Sequence, residues 1–198
     1  MIDDNQGIHA LFREILLRFS ALPDEPKGLE APLFRDPNED SRWPIFEIDS
    51  AYQGQEGLAL IEKSLRENRP YSVAFVDVHM PPGWNGIETI CKIWEKYSDL
   101  QVVICTGYSD YSWEQMVRPM GYLDRVVVLK KPFESIEVSQ LAVAMAEKWR
   151  LNQQAKLRLD NLEKVVESLL IRGDPATDFI HQPGESIMAA DILRRTIV

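Results

Sequence analysis

Residues Val73 to Gly86 read VAFVDVHMPPGWNG. The run opens as a buried strand, places the carboxylate Asp77 near its end, and meets the turn signal Pro81-Pro82-Gly83 within a few residues. An isolated buried carboxylate is costly, so Asp77 must be paired, metal-bound or held at the edge of a sheet. The neighbouring segments show how. Gln101–Thr106 (QVVICT) and Val126–Lys130 (VVVLK) are also near-continuous apolar strands, and Ile45–Asp49 (IFEID) is a shorter one. Between them, Gly57–Asn68 and Gly86–Tyr97 carry apolar residues at helical spacing. Ile8–Phe19 forms a further helix before the first strand, and Tyr111–Met120 a weaker one. From Glu134 a helical pattern continues to about Arg172. Apolar strands alternating with helices indicate an α/β fold whose parallel sheet is covered on both faces.

In such sheets functional groups collect beyond the carboxyl ends of the strands. The strands here end on Asp77, on Thr106-Gly107 and on Lys130-Lys131-Pro132, and the chain opens with the acidic pair Asp3-Asp4 just before a helix. One pocket would then hold three carboxylates, a hydroxyl and an ammonium. Three adjacent carboxylates repel and raise one another's pKa values. A divalent cation relieves the repulsion, and an all-oxygen set suits Mg²⁺. One carboxylate can then attack a phosphoryl group, with the metal, a lysine and a hydroxyl neutralising the phosphoryl oxygens. Gly107 leaves room for that group.

These residues resemble a response-regulator receiver domain of two-component signalling: Asp3-Asp4, Asp77-Val78-His79-Met80-Pro81 with Gly86, Thr106-Gly107, and Lys131-Pro132-Phe133. The resemblance covers roughly residues 1–150 and implies a doubly wound, flavodoxin-like, three-layer αβα fold. It implies that Asp77 is the phosphoacceptor, that Asp3, Asp4, Asp77 and the His79 backbone carbonyl hold Mg²⁺, that Thr106 is the switch hydroxyl, and that Lys131 pairs with the phosphate. The implied partner is a histidine kinase or phosphotransfer protein. The implied product is a phosphoprotein acting as a cytoplasmic signalling switch, not a turnover enzyme. A degenerate receiver serving as an interaction module is the alternative. A phosphatase reading is weaker, because His79 stands where a proton-donating acid would be needed.

The sequence departs from the family in three places. Only Met1 and Ile2 precede the acidic pair, where the family has a central strand of about five residues. A gap with exposed strand edges is expected there, unless the chain is truncated, its start is misassigned or the fold compensates. Val128 stands where an aromatic is common; Tyr108 and Tyr111 could take over its part. The connection from Ser20 to Pro44 contains five prolines and is long for a compact α/β unit.

The bulk properties narrow the function. The net charge of −9 argues against non-specific nucleic-acid binding, and no apolar run is long enough to span a bilayer. Cys91 and Cys105 read as reduced core thiols. His9 and His181 read as surface residues, and Trp84 and Trp113 as loop packing or partner contacts. Past the receiver, residues 151–172 form a helical linker. Asn152, Ala155, Leu159, Leu162, Val166 and Leu169 fall at heptad spacing, which suggests a parallel homodimer through 152–169 with Asn152 fixing the register. The tail, 173–198, has little pattern and is expected to lack regular structure.

Overall fold

The computed structural model describes residues 1–20, 45–107, 114, 118–121, 123–172 and 194–197. The elements are α1 (Gln6–Ser20), β1 (Phe46–Asp49), α2 (Gly54–Arg66), β2 (Val73–Asp77), α3 (Gly86–Lys96), β3 (Gln101–Thr106), β4 (Val126–Lys130), α4 (Ser135–Arg172) and β5 (Arg194–Ile197). A short 3-10 turn, Leu123–Arg125, leads into β4. The Pro-rich connection, most of the expected Tyr111–Met120 helix, Tyr108, Trp113 and His181 lie outside the described residues.

Among the described residues the sheet has five strands in the order β1-β5-β2-β3-β4, all parallel. Strand alternation builds two cores, because successive side chains point to opposite faces. Ala74 and Val76 of β2, with Val102 and Ile104 of β3, face α2 and α3. Val73 and Phe75, with Val103 and Cys105, face α1 and α4. On that second face Phe12 of α1 meets Phe75 edge-on, with centroids 4.9 Å apart. Helix α3 begins where Asn85 Oδ1 accepts the Glu88 amide at 2.9 Å, a capping contact that satisfies an otherwise orphaned N–H. Both cysteines are free, and only Cys105 is fully buried, where burial pushes its thiol pKa up.

Two expectations are corrected. The tail is not wholly irregular: Arg194–Ile197 forms β5. Its place answers the expected gap. Strand β5 lies between β1 and β2, with Phe46 opposite Arg194 and Val73 opposite Thr196. Met1–Asp3 then continues the same line. Ile2 bridges Ala51 on one side and Val76 on the other, while Ile197 pairs with Asp49 and Ala74. Two segments from opposite ends of the sequence therefore make one central strand.

Helix α4 has 38 residues, about 57 Å at ~1.5 Å per residue. Its first half is held to the domain through buried Val138, Ala142, Ala146 and Trp149. Trp149 Nε1 donates to the Tyr97 hydroxyl at 2.6 Å. Lys156 Nζ and Gln153 Nε2 both donate to the Asp99 carboxylate, at 2.6 and 3.0 Å. Partial burial of Asp99 opposes its charge, but these contacts win and hold its pKa below the ordinary carboxylate value. Beyond Lys156 the helix leaves the domain, and Leu157, Leu159, Leu162, Val165 and Val166 are each more than half exposed. No helix among the described residues is long and apolar enough to cross a membrane.

Candidate functional site

The carboxyl ends of β2 and β4, with the end of the Met1–Asp3 segment, bring Asp77, Lys131 and Asp3 into contact. Lys131 Nζ donates to Asp77 Oδ1 at 2.7 Å and to Asp3 Oδ2 at 2.8 Å. The Asp3 side chain is almost wholly buried and that of Asp77 nearly so, while a quarter of the Lys131 side chain is exposed. The remaining oxygens are engaged by local backbone: Asn5 N–H donates to Asp3 Oδ1 at 2.8 Å, and His79 N–H to Asp77 Oδ2 at 3.2 Å. Burial raises the Asp77 pKa, helped by the Asp3 charge and opposed by Lys131. Burial works against the Lys131 charge as well, yet its hydrogen bonds to Asp3 and Asp77 hold its pKa above the ordinary lysine value.

Asp4 is exposed at the mouth. One oxygen from each of Asp3, Asp4 and Asp77 lies within 4.8 Å of the others. Three carboxylates against one ammonium leave an excess of two negative charges. That excess, together with an all-oxygen donor set, fits a divalent cation such as Mg²⁺.

Thr106, at the end of β3, is buried beside this group, but its Oγ1 donates to the Gly107 carbonyl at 3.2 Å and contacts neither carboxylate. Among the described residues, a Cβ added at Gly107 would meet nothing within 4 Å. The His79 side chain is exposed, leaving its backbone as the part nearest Asp77. Lys130, the neighbour of Lys131, is exposed as strand alternation requires. The loop after β2 carries Trp84, over whose ring Lys92 Nζ sits 4.7 Å from the centroid.

The expectation that His9 is a surface residue is overturned. His9 is buried, its Nε2 donates to the Asp3 carbonyl at 2.7 Å, and its ring packs on Tyr52 with centroids 4.6 Å apart. The signal was present: His9, Phe12 and Leu16 share one face of α1 at helical spacing. His9 therefore buttresses the backbone that carries Asp3.

No protein-family model and no curated protein matches the sequence. Solved structures do. The chain superimposes on NtrX from Brucella abortus, determined in complex with ADP, with a TM-score of 0.55 at 18% identity, over 85% of this chain and 33% of that one. It superimposes on the signal receiver domain of a LuxO repressor protein from Vibrio parahaemolyticus with a TM-score of 0.51 at 15% identity, over 78% of this chain and 92% of that one. The chain has the receiver fold. It spans about a third of the NtrX structure it matches, and at these identities the likeness is one of fold. In parallel α/β sheets ligands bind beyond the carboxyl ends of the strands, and Asp3, Asp77 and Lys131 meet at that end of this sheet.

Proposed function

We propose that the chain is a phosphoacceptor receiver of a two-component relay. It would take a phosphoryl group from the phosphohistidine of a kinase or phosphotransfer partner onto Asp77. The observation that carries the reading is the shared contact of Asp3 and Asp77 with Lys131 Nζ, with Asp4 in reach. In the transfer, an Asp77 carboxylate oxygen forms the new phosphorus–oxygen bond. The phosphorus–nitrogen bond breaks, and its electron pair returns to the partner's imidazole. Lys131, already against Asp77, neutralises the phosphoryl oxygens, and the open space at Gly107 admits them. The Thr106 hydroxyl turns from the Gly107 carbonyl to donate to the acyl phosphate. That turn is the event that biases the following loop between two arrangements. Asp3, Asp4, Asp77 and the His79 carbonyl would hold Mg²⁺, which when bound supplies positive charge against the developing phosphoryl charge. The protein is then a cytoplasmic switch, not a turnover catalyst.

Incubation with acetyl phosphate and Mg²⁺ is expected to add one phosphoryl group by intact mass. The adduct should vanish in Asp77→Ala and on chelation. Absence of the adduct in the parent chain under all these conditions would sink the reading.

The exposed apolar stripe on α4 favours a second activity, dimerisation, independent of the phosphoryl chemistry. Leu159, Leu162 and Val166 stand on the free half of the helix at heptad spacing, and Asn152 precedes them, also exposed. A parallel homodimer through 152–169 would cover them. Light scattering of the full chain is expected to give a dimer mass, with Leu162→Asp shifting it to monomer. A parent chain that stays monomeric at high concentration, with and without acetyl phosphate, removes the dimer. A dimer that persists while phosphorylation fails would favour the interaction module.

A further inference from the structure

The domain grips α4 along one face just before the helix leaves it. Trp149, Gln153 and Lys156 follow one another at helical spacing on that face. Trp149 is held by the Tyr97 hydroxyl, and Gln153 and Lys156 by the Asp99 carboxylate. Lys156 Nζ lies 2.6 Å from both Asp99 oxygens. The Asp99 side chain is mostly buried, whereas more than half of the Lys156 side chain is exposed. In the heptad register, Asn152, Leu159 and Val166 take the a positions and Ala155 and Leu162 the d positions. Lys156 and Glu163 are then e residues and Arg158 is a g residue. Residues at e and g border the seam and choose the orientation of the second helix. The domain therefore holds α4 by a residue that borders the seam.

A second copy can lie on this seam in two ways. In a parallel pair, Arg158 of each copy faces Glu163 of the other, and Lys156 is not needed. In an antiparallel pair, with Leu159 of each copy against Leu162 of the other, Glu163 faces Lys156 of the second copy. Both arrangements offer two ion pairs, so the charges of the helix alone do not decide between them. The domain adds the difference. In the antiparallel pair Lys156 must leave a mostly buried carboxylate without its counter-charge, which is unfavourable, or Glu163 of the second copy must come up against Asp99.

We propose that Asp99 fixes the orientation of a second copy on α4. By holding Lys156 it withdraws the cation on which the antiparallel pair depends, and it leaves the parallel pair, with Arg158 against Glu163 of the second copy. The inference rests on the dimer proposed above and names the group that decides its geometry. Asn152 acts in the same direction, because two asparagines meet at one a position only in the parallel pair. Asp99 lies just before β3, at the opposite end of the strand from Thr106, so the choice of orientation is separate from the chemistry at Asp77.

The test uses the full chain carrying either Ala155→Cys or Val166→Cys, both at exposed positions. The two are mixed in equal amounts and equilibrated in a glutathione redox buffer, and the bridges between chains are identified by peptide mass, which sets aside the native Cys91 and Cys105. A parallel pair joins 155 to 155 and 166 to 166. An antiparallel pair joins 155 to 166. In the wrong orientation the same cysteines are about 16 Å apart along the helix, too far to bridge. Like-with-like bridges are expected to dominate. Adding Asp99→Ala to both chains should raise the share of 155-to-166 bridges about fivefold, the effect of two exposed ion pairs. Adding Lys156→Met as well should return that share to its starting value, which a general loosening of α4 would not do. An unchanged share in Asp99→Ala overturns the proposal, and so does a rise that persists without Lys156. Bridges of the 155-to-166 kind dominating before any change at Asp99 also overturn it. If no bridge between chains forms in any variant, the dimer itself falls and the proposal with it.

Discussion

Gly86→Ala is expected to lose about 3 kcal/mol or more of stability, a fall of roughly 6–12 °C in Tm for a domain of this size. The reason is the lack of any space for a methyl group. A Cβ at Gly86 would lie 2.1 Å from the Asp77 carbonyl oxygen, and 2.9 Å from both the Asp77 carbonyl carbon and Val78 Cα. All three are backbone atoms of the central strand and its exit, so no rotamer change relieves the clash. Either α3 withdraws or the end of β2 shifts. Withdrawal breaks the 2.9 Å hydrogen bond from Gly86 N–H to the Val78 carbonyl and opens the packing of Ile87 and Ile90 on the sheet. A shift of β2 moves Asp77 away from Lys131. In both cases acetyl-phosphate labelling of Asp77 should fall along with stability. Gly107→Ala is the matched control. Its Cβ meets nothing within 4 Å among the described residues, so its stability should stay within about 0.5 kcal/mol of the parent. Thermal unfolding of the two variants side by side decides the matter. Equal Tm values would mean that the close approach of α3 to Asp77 is not a constraint.

The same glycine shows why much of the fold was legible. Its position after a strand and a Pro-Pro-Gly turn marks a helix start packed hard against the strand end. Apolar runs gave β2, β3 and β4 nearly to the residue, because strands buried on both faces leave little room for polar side chains. The strand-end rule brought Asp3, Asp77 and Lys131 together for the same reason. Strand β5 was not legible. It has only four residues, two of them arginine, with no period long enough to read. Its pairing partners lie more than a hundred residues away, so only tertiary context makes it a strand. His9 was misread for a different reason. A histidine on an apolar helix face is polar by composition, yet its ring is buried once a carbonyl such as that of Asp3 accepts from it. The Thr106 hydroxyl was expected at the phosphoryl position and instead bonds to its neighbour's carbonyl.

Lys131→Met tests the electrostatics of the site and carries the second large effect. Lys131 neutralises two carboxylates at once, one of them almost wholly buried. Removing it leaves Asp3 and Asp77 facing each other with no counter-charge. Breaking a buried pair in this way costs about 3–5 kcal/mol when both partners are fully buried. With a quarter of the Lys131 side chain exposed, about 2–4 kcal/mol is expected in the absence of metal. The Asp77 acyl phosphate should also be lost, since the ammonium that would neutralise the phosphoryl oxygens is gone. The informative readout is the response to Mg²⁺. If the cluster holds a divalent cation as proposed, three carboxylates with no ammonium should bind it more strongly than in the parent. Binding to the folded state alone stabilises in proportion to the logarithm of ligand over dissociation constant. Millimolar Mg²⁺ should therefore raise the Tm of Lys131→Met by more than it raises that of the parent chain, recovering part of the loss. Lys130→Met, on the exposed neighbour, should change neither stability nor the response to Mg²⁺. Should Mg²⁺ shift the variant and the parent equally, the three carboxylates do not act together on a cation, and Asp3 would serve only to hold Lys131 against Asp77.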